Sequence, residues 1–277
     1  MGASLGMALR ASGCVQVVAG YDAAAGVAER AHARGAIDRA CPSLAEAVAG
    51  ADLVVLAVPV LAMRELLESL AARSPQLATD ALVTDLGSTK AQVVAWAEEL
   101  LPAPERFVGG HPMAGSEEAG IEAAEQGLLR GCVWCLTPTA RTSQATLHRM
   151  QELVTTLGAH PVLLAASQHD AAVAAVSHLP LLAASALVIT ASQSPAWAEG
   201  RMLAAGGFRD STRVASGNPR MARDICLTNA QPLVACLDAY IATLQTMRER
   251  LLAGDAAIEE TFRDAKQTRD SWIASSG

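Results

Sequence analysis

Met1-Gly2-Ala3-Ser4-Leu5-Gly6-Met7-Ala8-Leu9-Arg10, followed closely by Val15-Gln16-Val17-Val18-Ala19-Gly20-Tyr21-Asp22, is the stretch on which the fold turns. The first ten residues read as a helix that opens abruptly at a glycine, and the second run is β-rich and closes on Gly20, Tyr21 and Asp22. In a dinucleotide-binding fold the first strand leads through Gly-x-Gly-x-x-Gly into a helix, and an acid closing the second strand takes the ribose hydroxyls. Gly2 fits the third glycine and Asp22 fits the acid. On this reading the first strand and two glycines lie outside the sequence. That strand sits in mid-sheet in the order 3-2-1-4-5-6, paired on both sides. The expectation is therefore an in-frame apolar run ending in Gly-x-Gly-x-x upstream of Met1, with a misplaced start or a shortened chain as the cause. A second reading of Asp22 stays open, because Asp is also favoured in ordinary strand-end turns.

Working outward, short β-rich runs alternate with helical stretches as far as about residue 165. Val15–Gly20, Leu53–Val58, Leu82–Asp85, Phe107–Gly110, Val133–Leu136 and Val162–Leu164 are the expected strands. Strands and helices alternating at this spacing predict an α/β, Rossmann-like, doubly wound and mostly parallel sheet. Ser43-Leu44-Ala45-Glu46 predicts a capping box on one intervening helix. Asp22 favours NAD over NADP, since a carboxylate there repels the additional phosphate and no Arg follows within Ala23-Ala24-Ala25. Gly2, Asp22, Val58 and Pro59 are the expected cofactor contacts.

After Ala165 the strand-like runs stop and Ser167-Gln168-His169-Asp170 reads as the capped start of a long helical segment. The expected domains are 1–165, nucleotide-binding, and 166–277, all-α. Asn218-Pro219 supplies an N-cap with Pro in the first turn. Apolar residues then recur at Cys226, Ala230, Leu233, Leu237, Tyr240, Leu244, Met247 and Leu251, a seam alternating four and three that Pro232 should kink or restart. Such a seam packs either within one subunit's own bundle or across a homodimer.

Composition narrows the partners. The chain has 277 residues, 51% of them apolar, and 21 Lys and Arg against 28 Asp and Glu give a net charge of −7 with no basic cluster for phosphates. Nucleic acid is not expected. Apolar runs such as 179–187 fall short of the roughly 20 residues that cross a bilayer, so no membrane span is expected either. The start lacks a secretory or myristoylation pattern, and six scattered cysteines read as reduced thiols, which together predict a cytoplasmic protein. Cys132 and Cys135, three apart on a strand, point to opposite faces, and no metal site is expected.

Three segments hold the residues suited to chemistry. Val83-Thr84-Asp85-Leu86-Gly87-Ser88-Thr89-Lys90 is a strand running through a glycine turn into a helix, and it puts Ser88 at the carboxyl edge of the sheet. Ser88 has two readings, a helix N-cap or a ligand contact. Phe107-Val108-Gly109-Gly110-His111-Pro112-Met113-Ala114-Gly115-Ser116-Glu117 mounts His111 stiffly at a strand end, where an imidazole suits proton transfer. Its glycines are read as letting the backbone approach a ligand. Ser177-His178-Leu179-Pro180 and Gly206-Gly207-Phe208-Arg209-Asp210-Ser211-Thr212-Arg213 lie in the helical part. Pro180 should disturb the backbone around His178, and the glycine pair should form an interhelical loop bearing arginines. Arg213 suits either a bidentate grip on a carboxylate or a surface salt bridge.

Gly-Gly-His-Pro-Met-Ala-Gly-Ser at 109–116, Asp-Leu-Gly-Ser-Thr-Lys at 85–90, Ser-His-Leu-Pro at 177–180 and Gly-Phe-Arg-Asp-Ser-Thr-Arg at 207–213 resemble the prephenate/arogenate dehydrogenase family, in the same order over essentially the whole chain. The resemblance implies NAD-dependent oxidative decarboxylation of prephenate or arogenate in tyrosine biosynthesis, by a homodimer joined through its C-terminal helices. It implies His111 as the catalytic histidine and Ser88 as its companion at the substrate hydroxyl. His178, Arg213 and Ser116 would bind substrate, with Glu117 at the pocket entrance. The alternatives are another two-domain NAD(P)-dependent dehydrogenase or imine reductase, or a non-catalytic ligand-binding dimer. Substrate screening separates the first, and the retained Ser88, His111 and Arg213 speak against the second.

Overall fold

The computed structural model of the chain describes residues 1–115 and 120–275. Among these residues seven strands are assigned: β1 Ala19–Gly20, β2 Arg39–Ala40, β3 Leu53–Leu56, β4 Leu82–Asp85, β5 Phe107–Pro112, β6 Val133–Thr137 and β7 His160–Leu163. The helices around them are α1 Gly2–Ser12, α2 Val27–Ala33, α3 Leu44–Val48, α4 Met63–Ala71, α5 Ala91–Leu100 and α6 Gln144–Thr156. Then follow α7 Ala166–Val173, α8 Leu179–Ser192, α9 Trp197–Leu203, α10 Gly206–Thr212, α11 Pro219–Thr228, α12 Ala230–Ala253 and α13 Ile258–Ser275.

Strands β3 to β7 form one sheet in chain order, parallel throughout except for the antiparallel pair β5–β6. Successive residues of a strand face opposite sides, and the core divides accordingly. Leu82, Val108, Trp134 and Leu136 pack with Leu5 and Leu9 of α1 and Met150 and Val154 of α6. Val54, Leu56, Val83 and Phe107 pack on the other face with Met63, Leu67 and Leu70 of α4 and Val93, Val94 and Ala97 of α5. The sheet is thus covered on both sides, which suits the near-continuous apolar character of its strands.

β1 and β2 pair with each other in a separate two-stranded sheet, and β1 is not joined to β3. The expected strand Val15–Gly20 shortens to Ala19–Gly20, because the residues before it find no ladder partner. Val18 instead gives its N–H to the Asp38 carboxylate at 2.8 Å. β2, which alternation did not reveal, exists only as the partner of this stub.

The caps behave largely as their chemistry predicts. The Ser43 side chain accepts the Glu46 N–H, and Asn218 accepts the N–H groups of Arg220 and Met221 ahead of Pro219. Helix α7 starts two residues earlier than expected, with Ala165 as its N-cap, so Ser167 lies within it, while the Gln168 side chain accepts the Ala165 N–H at 3.2 Å. Gly13 ends α1 in the left-handed region (φ 67°), the conformation for which glycine carries no Cβ penalty. The apolar seam is divided between two helices: Cys226 lies on α11, and α12 restarts at Ala230 with Pro232 in its first turn, where a missing N–H costs no intrahelical bond.

Two further expectations change. Gly206-Gly207 does not form a loop but opens α10, and Arg213 begins the 3-10 turn Arg213–Ser216. The apolar run at 179–187 is part of a continuous helix, Ala166–Ser192, which is long and apolar enough to cross a bilayer by length and composition. A π turn at Ala174–His178 joins its halves, just ahead of Pro180. Compactness divides the chain after Ala230, into Met1–Ala230 and Gln231–Gly277, whereas the last strand ends at Leu163 and helices follow from Ala166. In the second unit, α12 and α13 are joined by a turn in which Arg250 donates to the Ala257 carbonyl and the Thr261 hydroxyl.

Candidate active site

The site is built on the carboxyl ends of β4 and β5, which run side by side in parallel register. Asp85 closes β4 and is fully buried. One of its oxygens accepts the Gly110 N–H at 3.1 Å, and the other accepts the Gly87 N–H at 2.8 Å and the Lys90 ammonium. Lys90, also fully buried, donates in addition to the Gly110 carbonyl at 2.8 Å. An ion pair without solvent therefore ties together the end of β4, the glycine turn, the start of α5 and the residue before His111. Burial pushes the Lys90 ammonium down from its ordinary range, while Asp85 acts in the opposite direction.

The two glycines before His111 serve packing rather than ligand approach. A Cβ on Gly109 would lie 2.3 Å from the Thr137 hydroxyl. One on Gly110 would lie 2.6 Å from the Asp85 carbonyl oxygen and 3.0 Å from both the Thr84 hydroxyl and the Trp134 indole nitrogen. No side chain fits there, and His111 is carried on a strand packed closely against its neighbours in the sheet.

His111 is half-buried, and its Nδ1 lies 2.8 Å from Nε2 of His169, the rings meeting edge to face. Burial holds His111 well below the ordinary imidazole range, with Lys90, His169 and His178 adding in the same direction. It is a neutral base at pH 7. His169 is fully buried, and its Nδ1 lies 2.8 Å from Asp170 Oδ1. The two Asp170 oxygens also accept the N–H groups of Lys90 and Ala91, at 2.7 and 2.8 Å, and so cap α5 from another element. Ser88 is not the N-cap of that helix; Lys90 is, and Asp170 satisfies its exposed donors. Ser88 is half-buried at the start of the turn beyond β4.

His178, on the π turn, is buried, and burial lowers its pKa to about 4. The Asn229 amide donates to Asp170 O at 2.8 Å and faces His178 Nδ1 at 3.1 Å. An amide N–H₂ can only donate, so Nδ1 accepts and the His178 proton resides on Nε2. That Nε2 is buried without a partner among the described residues. It is a donor held ready for a group that the chain does not supply.

The remaining expected residues are placed as follows. Arg213 is exposed, on a turn that packs against α8, the helix beginning directly after His178. Ser116 and Glu117 lie outside the described residues. Gly2 opens α1 against the end of β3, where a Cβ would meet that of Ala57 at 2.8 Å. Val58 and Pro59 follow β3 on the loop leading to the 3-10 turn Val60–Ala62. Asp22 is exposed two residues beyond β1 and accepts the Ala24 N–H at 2.8 Å. A solvent-facing carboxylate after one strand and a helix N-terminus seated against the end of another suit a dinucleotide. Sequence reasoning gave no role to Asp85, Lys90 or Asn229, and took His169 and Asp170 only for helix-start residues.

Residues 5–163 match the family model described as prephenate dehydrogenase, nucleotide-binding domain, and residues 165–264 match its dimerization domain. The prephenate dehydrogenase of Bacillus subtilis (strain 168) is 34% identical over 271 residues, covering 98% of this chain and 72% of that protein. The solved structure of prephenate dehydrogenase from A. aeolicus in complex with hydroxyphenyl propionate and NAD+ superposes with a TM-score of 0.88 at 31% identity, covering 97% of this chain and 93% of the other. Synechocystis arogenate dehydrogenase superposes with a TM-score of 0.80 at 29% identity, covering 98% and 95%.

Proposed function

This chain belongs to the prephenate dehydrogenase family, and on that premise we propose that it oxidises prephenate or arogenate with NAD, releasing carbon dioxide, to give 4-hydroxyphenylpyruvate or tyrosine. The observation that carries the reading is the state of His111: an imidazole kept neutral at a sheet edge, with Nδ1 engaged by His169. NAD would be held by Gly2, Asp22, Val58 and Pro59, and when bound it supplies the acceptor for the carbinol hydride, which with loss of the ring carboxylate aromatises the ring. His111 Nε2 takes the hydroxyl proton, and Ser88 orients that hydroxyl. His178 offers its Nε2–H, which has no partner among the described residues, to a substrate oxygen, Arg213 binds a carboxylate, and Ser116 and Glu117 contribute to substrate binding.

Residues 1–165 are assigned to nucleotide binding and 166–277 to substrate binding and dimerisation. A homodimer through the C-terminal helices is supported by the apolar residues that α12 and α13 expose, among them Val234, Tyr240, Leu244, Leu251, Phe262 and Trp272. The long apolar helix Ala166–Ser192 fits a protein interior or interface better than lipid, because its first half carries His169 and Asp170, bound to the sheet domain. A cytoplasmic location follows from the same reading.

Initial rates with prephenate and with arogenate, each with NAD and with NADP, test the proposal. His111→Asn should lower kcat by about 100-fold or more, the scale for losing a general base, with KM for NAD near normal. Near-normal turnover by that variant sinks the assignment.

A further inference from the structure

We propose that His169 and Asp170 form a proton relay behind His111, so that the proton taken from the substrate hydroxyl comes to rest as charge on the buried His169–Asp170 pair. The inference rests on the reading of His111 as the base. It follows from the hydrogen-bond directions. Asp170 is acceptor to two backbone N–H groups, so the third contact, from His169 Nδ1, is also a donated hydrogen. A neutral His169 then has its lone pair on Nε2, and His111 Nδ1 donates to it across 2.8 Å. His111 is thereby fixed as the tautomer whose Nε2 carries the lone pair.

Without the relay, the accepted proton would remain on an imidazole that burial, Lys90 and His178 all oppose charging. With it, the substrate O–H bond breaks and its proton bonds to the Nε2 lone pair of His111. The Nδ1–H bond of His111 breaks in turn, and that proton bonds to Nε2 of His169. His111 is again neutral, and the imidazolium lies against the Asp170 carboxylate. No electrons are gained or lost by the protein. His111 touches the reacting hydroxyl, whereas His169 and Asp170 act through it as positioning residues. The charged or titratable groups facing the relay are Lys90 with its partner Asp85, His178, and Cys135, the ladder partner of His111.

Nitrogen-15 histidine NMR of the intact protein near pH 7 gives the first test, which needs no substrate. Both His169 and His111 should carry hydrogen on Nδ1 and none on Nε2, and a His111 protonated on Nε2 overturns the relay. Because this readout is independent of turnover, failure of the chain to oxidise either substrate would sink the activity while leaving the tautomers to be judged alone. The second test is His169→Gln, whose side-chain oxygen still accepts from His111 but cannot take up the proton. It should lower kcat by about 10-fold or more and leave substrate KM within about 3-fold. The acid limb of its kcat/KM profile should move to lower pH, since protonation then falls on His111 alone. A fall in kcat with an unmoved acid limb would reduce His169 to a buttress and overturn the relay, as would unchanged turnover. Asp170→Asn, which also weakens the cap of α5, should move the limb in the same direction.

Discussion

Replacing Asp85 by Asn should be among the most damaging single changes in the sheet domain, and the structure gives the size. Asp85 accepts three donors, the N–H groups of Gly87 and Gly110 and the Lys90 ammonium, with no access to water. Asn keeps one acceptor oxygen, so one backbone N–H is left unsatisfied, at about 1–3 kcal/mol, and the ammonium loses its counter-charge, at about 3–5 kcal/mol. The two costs share atoms and do not add; about 4 kcal/mol is the expected total. For a protein of this size about 2–4 °C of Tm accompanies each kcal/mol, which predicts a fall of about 8–16 °C in thermal unfolding followed by circular dichroism. The deficit should shrink as pH rises from 7 toward 10. Lys90 would fold uncharged, the unfolded chain would bind the additional proton, and stability then increases with pH. Asp85→Asn combined with Lys90→Met should recover at least half of the loss, because an apolar group of similar length leaves no stranded charge. A Tm change below about 4 °C in the single variant, or no recovery in the double, would refute the argument.

The same double variant removes the Lys90 charge that holds His111 down, so the acid limb of its kcat/KM profile should move to higher pH; an unmoved limb would mean that burial alone sets His111. Arg213→Ala should raise substrate KM by about 30- to 150-fold, equivalent to about 2–3 kcal/mol, with a smaller effect on kcat. Full rescue of KM by Arg213→Lys would show a simple charge contact in place of a two-pronged one. Gly110→Ala places a methyl 2.6 Å from the Asp85 carbonyl oxygen and should cost about 1–3 kcal/mol, read as a lower Tm; an unchanged Tm would show that the strand can shift.

Strand β4 was legible because its apolar run is buried on both faces. β4 is found at Leu82–Asp85 as its composition predicts, and all four of its residues are buried. β1 was overestimated because a strand is defined by its neighbours, and the residues before Ala19 have none to pair with. Asn218-Pro219 was legible because an N-cap is a local device. The roles of His169 and Asp170 were not, since two adjacent helical residues acquire them only through Lys90, Ala91 and His111, about 60 to 80 positions away. The adjacency of a His and an Asp at a helix start was the one available signal, and a cap accounted for it. Arg213 was expected after a loop because glycine pairs favour loops, yet Gly206-Gly207 opens a helix.

The π turn at Ala174–His178 sets the angular phase of everything after it. His169 and His178 are nine positions apart, and at about 100° per residue a regular α-helix would project them in opposite directions, about 180° apart. A π turn absorbs one additional residue without advancing the rotation, which brings the difference to about 80° and both imidazoles toward the same side. The π winding thus lets a single helix contribute His169, Asp170 and His178 to one cluster. Winding the same residues as a regular α-helix would rotate His178 out of the cluster by about 100°, whereas deleting one residue ahead of His178 in the turn would leave about eight positions between the histidines and keep the phase near 80°. The cluster therefore depends on how this one turn is wound, which gives nine positions the phase that eight would have in a regular helix.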